Sequence, residues 1–428
     1  MNVVLGLLLA AAPLRLEQAV TEALKRNETY AIAQARQAQA AADLRAAWAE
    51  LLPSADLTGS YTRRRLRAPP EGSDQDILIR ANNALNARIS AQTRLFEASQ
   101  LPSIGAAQDD VEAEGYRTEL EVRNFAFDVA TAFLQVVGLE RTQAAAVERL
   151  ELAESILDEV RKRAEAGLTS SNDVSRSQLE VASARLALTE ADNDVVQARL
   201  QLGFLMGRPL LEELDPPQMD ALTEAQDVDS FVDEAMTQRP DVAVLATEFE
   251  AARRRAVEPW LRLVPSLRGE AEFTFTNETG FQEREFNYNL SLIAAWPIYD
   301  AGLRHADARR TRARLEELAL ELRQLRRAVE VGIRSALAER RRAEAAVVQA
   351  EAQVQAAEVN AGEVGQRFRA GLATALEQAD ANVQLFSARA RLEASRFELG
   401  QAELSVLEAR GGVPPGYALP SEGLAADG

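Results

Sequence analysis

The spacing of apolar residues along this chain changes period several times, and each change marks an element. From Leu16 to Leu51 the sequence is Ala-rich and free of Pro and Gly, which predicts a helix. Past Pro53 the pattern becomes strict alternation. Leu57, Gly59 and Tyr61 alternate with Asp56, Thr58, Ser60 and Thr62, and then Leu85, Ala87, Ile89, Ala91 and Leu95 with Asn86, Arg88, Ser90, Gln92 and Arg94. Period two puts the sets on opposite faces of paired strands, a hairpin over about 55–96. No proline occurs from Ser103 to Arg208, and that run is punctuated once, at Ala166-Gly167-Leu168, as in a helical hairpin that turns on glycine.

The whole succession then recurs. Asp229 to Trp260, interrupted by Pro240 and Pro259, stands where the first helix stood. After Pro265, Leu267, Gly269, Ala271, Phe273 and Phe275 alternate with Arg268, Glu270, Glu272, Thr274 and Thr276. Phe286, Tyr288, Leu290, Leu292 and Trp296 follow against Asn287, Asn289 and Ser291, giving a second hairpin over about 266–296. Ile298 to Val413 is free of proline and turns at Ala370-Gly371-Leu372. Segment 47–54 matches 259–266 at an offset of 212, 95–98 matches 298–301 at 203, and 163–168 matches 367–372 at 204. The chain is therefore a duplicated unit, 13–207 and 229–410, joined by a Pro- and acid-rich linker at 208–228.

Two heptad seams run along the helix after each glycine turn. Val174, Val181, Leu188, Val195 and Leu202 form one; Leu179, Leu186 and Leu200, with a lapse at Asn193, form the other. The second unit repeats them as Leu385, Leu392, Leu399 and Val406, and as Val383, Ala390, Phe397 and Leu404. At 100° per residue the two stripes lie about 140 to 160° apart, so each helix has a neighbour on either side. That is a ring of helices around a lumen, whereas a bundle with a dry core would show one broad apolar face. A helix from about Ala106 to Ala166 would be on the order of 90 Å long, beyond any compact domain.

Each strand has about the 9 to 11 residues that cross a bilayer when tilted. Aromatics gather toward the strand ends at Tyr61, Phe96, Phe286, Trp296 and Tyr299, as they do at a membrane interface. No stretch after the N-terminus approaches the ~20 apolar residues of a membrane helix, so a crossing would be made by strands. Four strands cannot close a barrel, and open edges are not tolerated in lipid. Three copies would supply twelve strands and remove every edge. The competing reading is a soluble periplasmic coiled-coil scaffold or tether whose hairpins never enter a membrane.

Composition narrows the rest. The chain is 47% hydrophobic but only 5% aromatic, as expected of long helices, and its formal charge of -18 disfavours nucleic acid as a partner. The absence of Cys excludes disulfides, thiolate metal sites and a cysteine nucleophile. His305, the only histidine, sits in an Arg-rich helical stretch and reads as a solvated side chain, and four scattered Met make no metal site. No phosphate loop or nucleophile motif occurs, so the chain reads as a non-enzyme without cofactors. The runs beginning at Arg63, Arg253 and Arg340 are flanked by acids or strand pattern and read as solvated faces. Residues 1–12 read as a secretory signal lacking its basic start, and 411–428, with Pro414, Pro415 and Pro420, as a disordered tail.

These residues resemble the TolC-like outer-membrane efflux and secretion proteins. The likeness rests on the opening Leu16-Glu17-Gln18-Ala19-Val20 with Ala23-Leu24 and Asn27, on Leu51-Leu52-Pro53-Ser54 before the first strand, on the duplicated Ala-Gly-Leu turns, and on element order. It implies an α+β, mainly α, channel-tunnel. A homotrimer would share a twelve-stranded outer-membrane barrel continued by a periplasmic α-helical barrel, with loops 67–82 and 277–285 outside the cell. The resemblance further implies that the turns Gly167, Leu168, Thr169, Ser170 and Gly371, Leu372, Ala373, Thr374 dock a periplasmic adaptor (membrane fusion protein) of an RND- or ABC-type inner-membrane pump. Glu377 and Asp380, and more weakly Asp173, stand where family members place acidic rings that constrict the pore. Like charges facing one another there would raise carboxylate pKa values and favour cations.

Overall fold

A computed structural model of the chain describes residues 13–64, 83–217, 228–277 and 285–418. The expected signal, loop 67–82, most of loop 277–285 and the linker beyond Pro217 lie outside the described residues. The elements in order are α1 (Leu16–Arg26), α2 (Glu28–Ala49), β1 (Ser54–Arg63), β2 (Asn83–Phe96), α3 (Gln100–Glu165) and α4 (Ser171–Leu205). Then come α5 (Val228–Gln238), α6 (Pro240–Arg255), α7 (Glu258–Leu261), β3 (Ser266–Thr276), β4 (Phe286–Ala295), α8 (Leu303–Arg369) and α9 (Ala375–Ala409). They fall into two compact units: one holds residues up to Gln34, Tyr116–Val242 and Gln324 onward, the other Ala35–Gly115 and Ala243–Arg323.

The second unit contains a four-stranded antiparallel sheet in the order β1-β2-β3-β4. Its register sets Leu57 opposite Ile89, Ile89 opposite Phe273 and Phe273 opposite Tyr288, so the apolar sets of both repeats share one face. Thr58, Arg88, Thr274 and Asn287 line up on the other. Both faces are largely open, and β1 and β4 are bare edges within the chain. Helices flank the sheet, tied by Arg254 to Asp109 (2.7 Å), Arg255 to Asp110, and Arg262 to Glu258 and Asp307 (2.7 Å each).

The core of the first unit gathers Leu16, Val20 and Leu24 of α1, Val122, Val129, Phe133 and Val136 of α3, Leu202 of α4, Leu210 and Leu214, and Leu404 of α9. Glycine lets α3 and α9 approach. A Cβ on Gly400 would lie 3.0 Å from Leu134, and one on Gly138 3.6 Å from Phe397. The first seam, with Val181, Val195 and Leu202 buried, faces the partner helix of its own hairpin. The second seam is treated unequally. Leu404 of α9 is buried and Phe397 packs on the core, whereas Leu179, Leu186 and Leu200 of α4 are 71%, 60% and 63% exposed.

Several expectations are corrected. The first helix is broken at Asn27, whose Oδ1 accepts the N–H and hydroxyl of Thr29 (3.0 and 2.7 Å) while its Nδ2 donates to the Leu205 carbonyl (3.1 Å). A cap can end one helix and start another without Pro or Gly. The long helix begins at Gln100 because Pro102 fits a first turn, where its missing N–H costs nothing. One window of α3 is, by composition, long and apolar enough to cross a membrane; 56% of it is buried, because α3 is the central helix of the core. Residues 411–418 are not a disordered tail. Pro414 is fully buried, Tyr417 packs on the core, and Gly416 lies against the α1 backbone and accepts a hydrogen bond from Thr21 (2.9 Å). His305 is not merely solvated but meets the Trp260 ring edge-on at 5.4 Å.

Candidate functional site

The two glycine turns are built alike, and local rules explain why. Gly167 and Gly371 have φ of 69° and 77°, the left-handed region that glycine enters without strain. In each turn the glycine N–H returns to the helix (Gly167 to Ala164, Gly371 to Phe368, both 3.0 Å), and the next leucine N–H reaches one residue further back (Leu168 to Arg163, 2.8 Å; Leu372 to Arg367, 2.7 Å). This double closure satisfies the last carbonyls of α3 and α8. Ser170 and Thr374 then cap α4 and α9 in reciprocal capping boxes with Asp173 and Glu377. Leu168 and Leu372 are left 77% and 70% exposed.

The fold brings these turns together. Arg163 donates to the carbonyls of Phe368 (2.8 Å) and Arg369 (3.2 Å), its guanidinium 4.5 Å from the Phe368 ring, and Val160, Phe368, Ala373 and Ala375 pack as one cluster. Thr169 is held by Asp173 (2.7 Å). The acidic candidates separate. Asp173 and Glu377 both point back at their own caps, and hydrogen bonds from Ser170 and Thr169, and from the Thr374 N–H and hydroxyl, hold their carboxyls below the usual range. The expected upward shift at Glu377 belongs to like charges meeting across a trimer; in the single chain its own cap sets the opposite direction. Asp380 stays exposed with no ion pair among the described residues.

On the sheet, Tyr61 and Phe286 lie toward the loop ends of the strands, and Phe96, Trp296 and Tyr299 at or beyond the ends that join the helices; all five are exposed. Tyr61 donates to Asn83 (3.1 Å) and the Trp296 indole to the Leu263 carbonyl (3.0 Å). Sequence reasoning passed over Phe275 and Tyr288, which extend the loop-end group, and Trp48 and Trp260, which add exposed indoles at the helix end. The two tryptophans lie in α2 and α7, within about six residues of Ser54 and Ser266, where β1 and β3 begin.

With this geometry in hand, comparison with known proteins decides the family. A family model described as outer membrane efflux protein matches residues 19–208 and 231–412. The chain belongs to the outer membrane efflux protein family. It is 29% identical over 299 residues to the pyoverdine export outer membrane protein OpmQ of Pseudomonas aeruginosa, a match covering 67% of this chain. The chain spans 61% of the length of that curated relative. Its fold is that of the outer membrane protein VceC of Vibrio cholerae (TM-score 0.74, 19% identity, 93% of this chain and 96% of that one). It is equally that of the Campylobacter jejuni CmeC outer membrane channel (TM-score 0.75, 16% identity, 95% and 87%). The efflux-family chain is thus a TolC-like channel-tunnel protein of the outer membrane.

Proposed function

We propose that three copies of this chain form the outer-membrane exit duct of a tripartite efflux or type I secretion system, a passive conduit for small molecules or polypeptides. The observation that carries the reading is the sheet: an exposed apolar face, a polar reverse face and two bare edges make a stable arrangement only as part of a closed barrel in lipid. The bare α4 seam supports assembly. Its counterpart on α9 is covered by α3 within the chain, so by the internal repeat the α4 seam is covered by α8 of the next copy, which shows its own exposed valines at 331, 348 and 359. The same contact repeated head to tail closes a ring. Outer-membrane lipid meets the apolar sheet face, bounded by Tyr61 and Phe286 on one side and Phe96, Trp296 and Tyr299 on the other.

At the turns, Gly167, Leu168, Thr169 and Ser170 with Gly371, Leu372, Ala373 and Thr374 offer paired apolar knobs on rigid loops to a periplasmic adaptor of an RND- or ABC-type pump. Asp380, with Glu377 beside it, supplies the acidic constriction. Outer-membrane fractionation and heat-modifiable gel mobility test the assembly, with a membrane trimer expected; a soluble periplasmic monomer would instead favour a coiled-coil scaffold. In planar bilayers, Glu377→Gln/Asp380→Asn lowers cation preference if the constriction is assigned correctly.

A further inference from the structure

On the apolar face of the sheet, side-chain size falls sharply toward the helix end of β2 and β3. The register runs Ala55, Ala91, Ala271, Leu290 in one row and Thr93, Gly269, Leu292 in the next. On the loop side the adjoining row is large: Leu57, Ile89, Phe273 and Tyr288. The step in size leaves a slot of about 400 Å³, with Pro53 on its β1 side and Leu290 and Leu292 on its β4 side. A bulge in β2 between Arg94 and Phe96 closes the helix end. It lays Leu95 against Gly269, where a Cβ would come within 3.6 Å of the leucine Cδ1.

Strand packing alone does not produce this slot. By the internal repeat, the β2–β3 junction corresponds to β4 beside β1 of the next copy, with Trp296 at the place of Thr93 and Leu57 at the place of Gly269. Large side chains fill that junction, so the repeat gives no second slot among the described residues. The strands also fix its level. Gly269 lies three residues past Ser266, ~10 Å along β3 and ~7 Å in depth at the tilt of a barrel strand. That is just inside the rim marked by Phe96, Trp296 and Tyr299, in the acyl region of the leaflet next to the helices. The floor is about two strand spacings wide, ~10 Å, and two side-chain rows tall, ~7 Å. A partner helix, about 10–12 Å across with its side chains, is too wide to enter, whereas a single hydrocarbon chain fits. Left empty, the lining would forfeit dispersion contacts that an ordered chain supplies.

We propose that this slot seats one acyl chain of a phospholipid from the periplasmic leaflet of the outer membrane. The proposal rests on the barrel reading, and the experiment separates the two. The protein is reconstituted in vesicles of phosphatidylethanolamine and phosphatidylglycerol that contain a phospholipid with a diazirine midway along one acyl chain. After illumination, the crosslinked residues are mapped by mass spectrometry. Crosslinks should concentrate on 91–93, 269–271 and 290–292. Gly269→Leu/Ala271→Leu fills the floor with side chains that point into lipid, and should cut those crosslinks at least about fivefold while leaving the ones at Leu85, Phe275 and Phe286 unchanged. Ala91→Leu fills the same floor from the neighbouring strand and should act alike. Wild-type crosslinks spread evenly over the apolar face overturn the proposal, and that map needs no variant to assemble. Crosslinks in the slot that filling does not reduce overturn it as well. An apolar face that takes no lipid crosslink anywhere overturns the barrel instead.

Discussion

Asp173 and Glu377 sit at the same step of their helices and do the same work, each accepting the N–H of its own cap residue. Their carboxyls are depressed in the folded chain. A depressed carboxylate adds stability above its unfolded pKa and loses it as pH falls through the folded value, so the turns should loosen only below about pH 4. Amide hydrogen exchange in 170–174 and 374–378, corrected for intrinsic rates, should be protected at neutral pH and accelerate at pH 3 while the middle of α3 stays protected. Ser170→Ala should mimic the acid effect at neutral pH, costing about 1 kcal/mol at the start of α4. Gly371→Ala probes the other half of the turn. A methyl there meets nothing within 4 Å, so only the left-handed φ is penalised, by roughly 1 kcal/mol. The cap residues were legible in the sequence as a Ser or Thr followed three places on by an acid. Their competition with a pore role was not, because the family pattern fixes the position of Glu377 and not the direction of its side chain.

Elements were legible where period and punctuation agree, as at Pro53, Gly167, Pro265 and Gly371. They were misread where one side chain decides, as at Asn27, and where a Pro- and Gly-rich stretch is held by contacts remote in sequence. Segment 411–418 shows the second case. Arg123 donates to the Gly411 carbonyl (2.8 Å) and Arg239 to that of Ala409 (3.0 Å), while Tyr417, its hydroxyl pushed up to about 12 mainly by burial, sits against the α1–α3 core. A Cβ on Gly416 would come within 2.3 Å of the Glu17 Cα and carbonyl oxygen, so any side chain must displace backbone. Gly416→Val should therefore detach the segment from α1, lower the melting temperature followed by circular dichroism in detergent, and expose 411–418 to carboxypeptidase. A melting temperature equal to wild type would show that the segment only rests on the surface. The slot floored by Gly269 was invisible for a related reason: its lining comes from neighbouring strands, and each strand alone shows only alternation.

For the whole molecule, exposure alone does not say what a surface is for. Leu168 and Leu186 are 77% and 60% exposed in the single chain, yet the internal repeat assigns them different partners. Leu186 lies on a seam whose α9 counterpart is covered by α3, so assembly should bury it, and a charge there would be desolvated without a partner. Leu168 caps a turn that no repeat-related contact covers, so it should stay bare in the trimer. Leu186→Glu should then abolish the heat-modifiable trimer while the α3–α4 hairpin, whose contact runs through Val181 and Ala184 on the other seam, keeps its helical circular dichroism. Leu168→Glu should leave the trimer and its bilayer conductance intact but weaken crosslinking to a co-expressed adaptor. If both variants still assemble, α8 does not cover the α4 seam, and the ring must close through a different pair of helices.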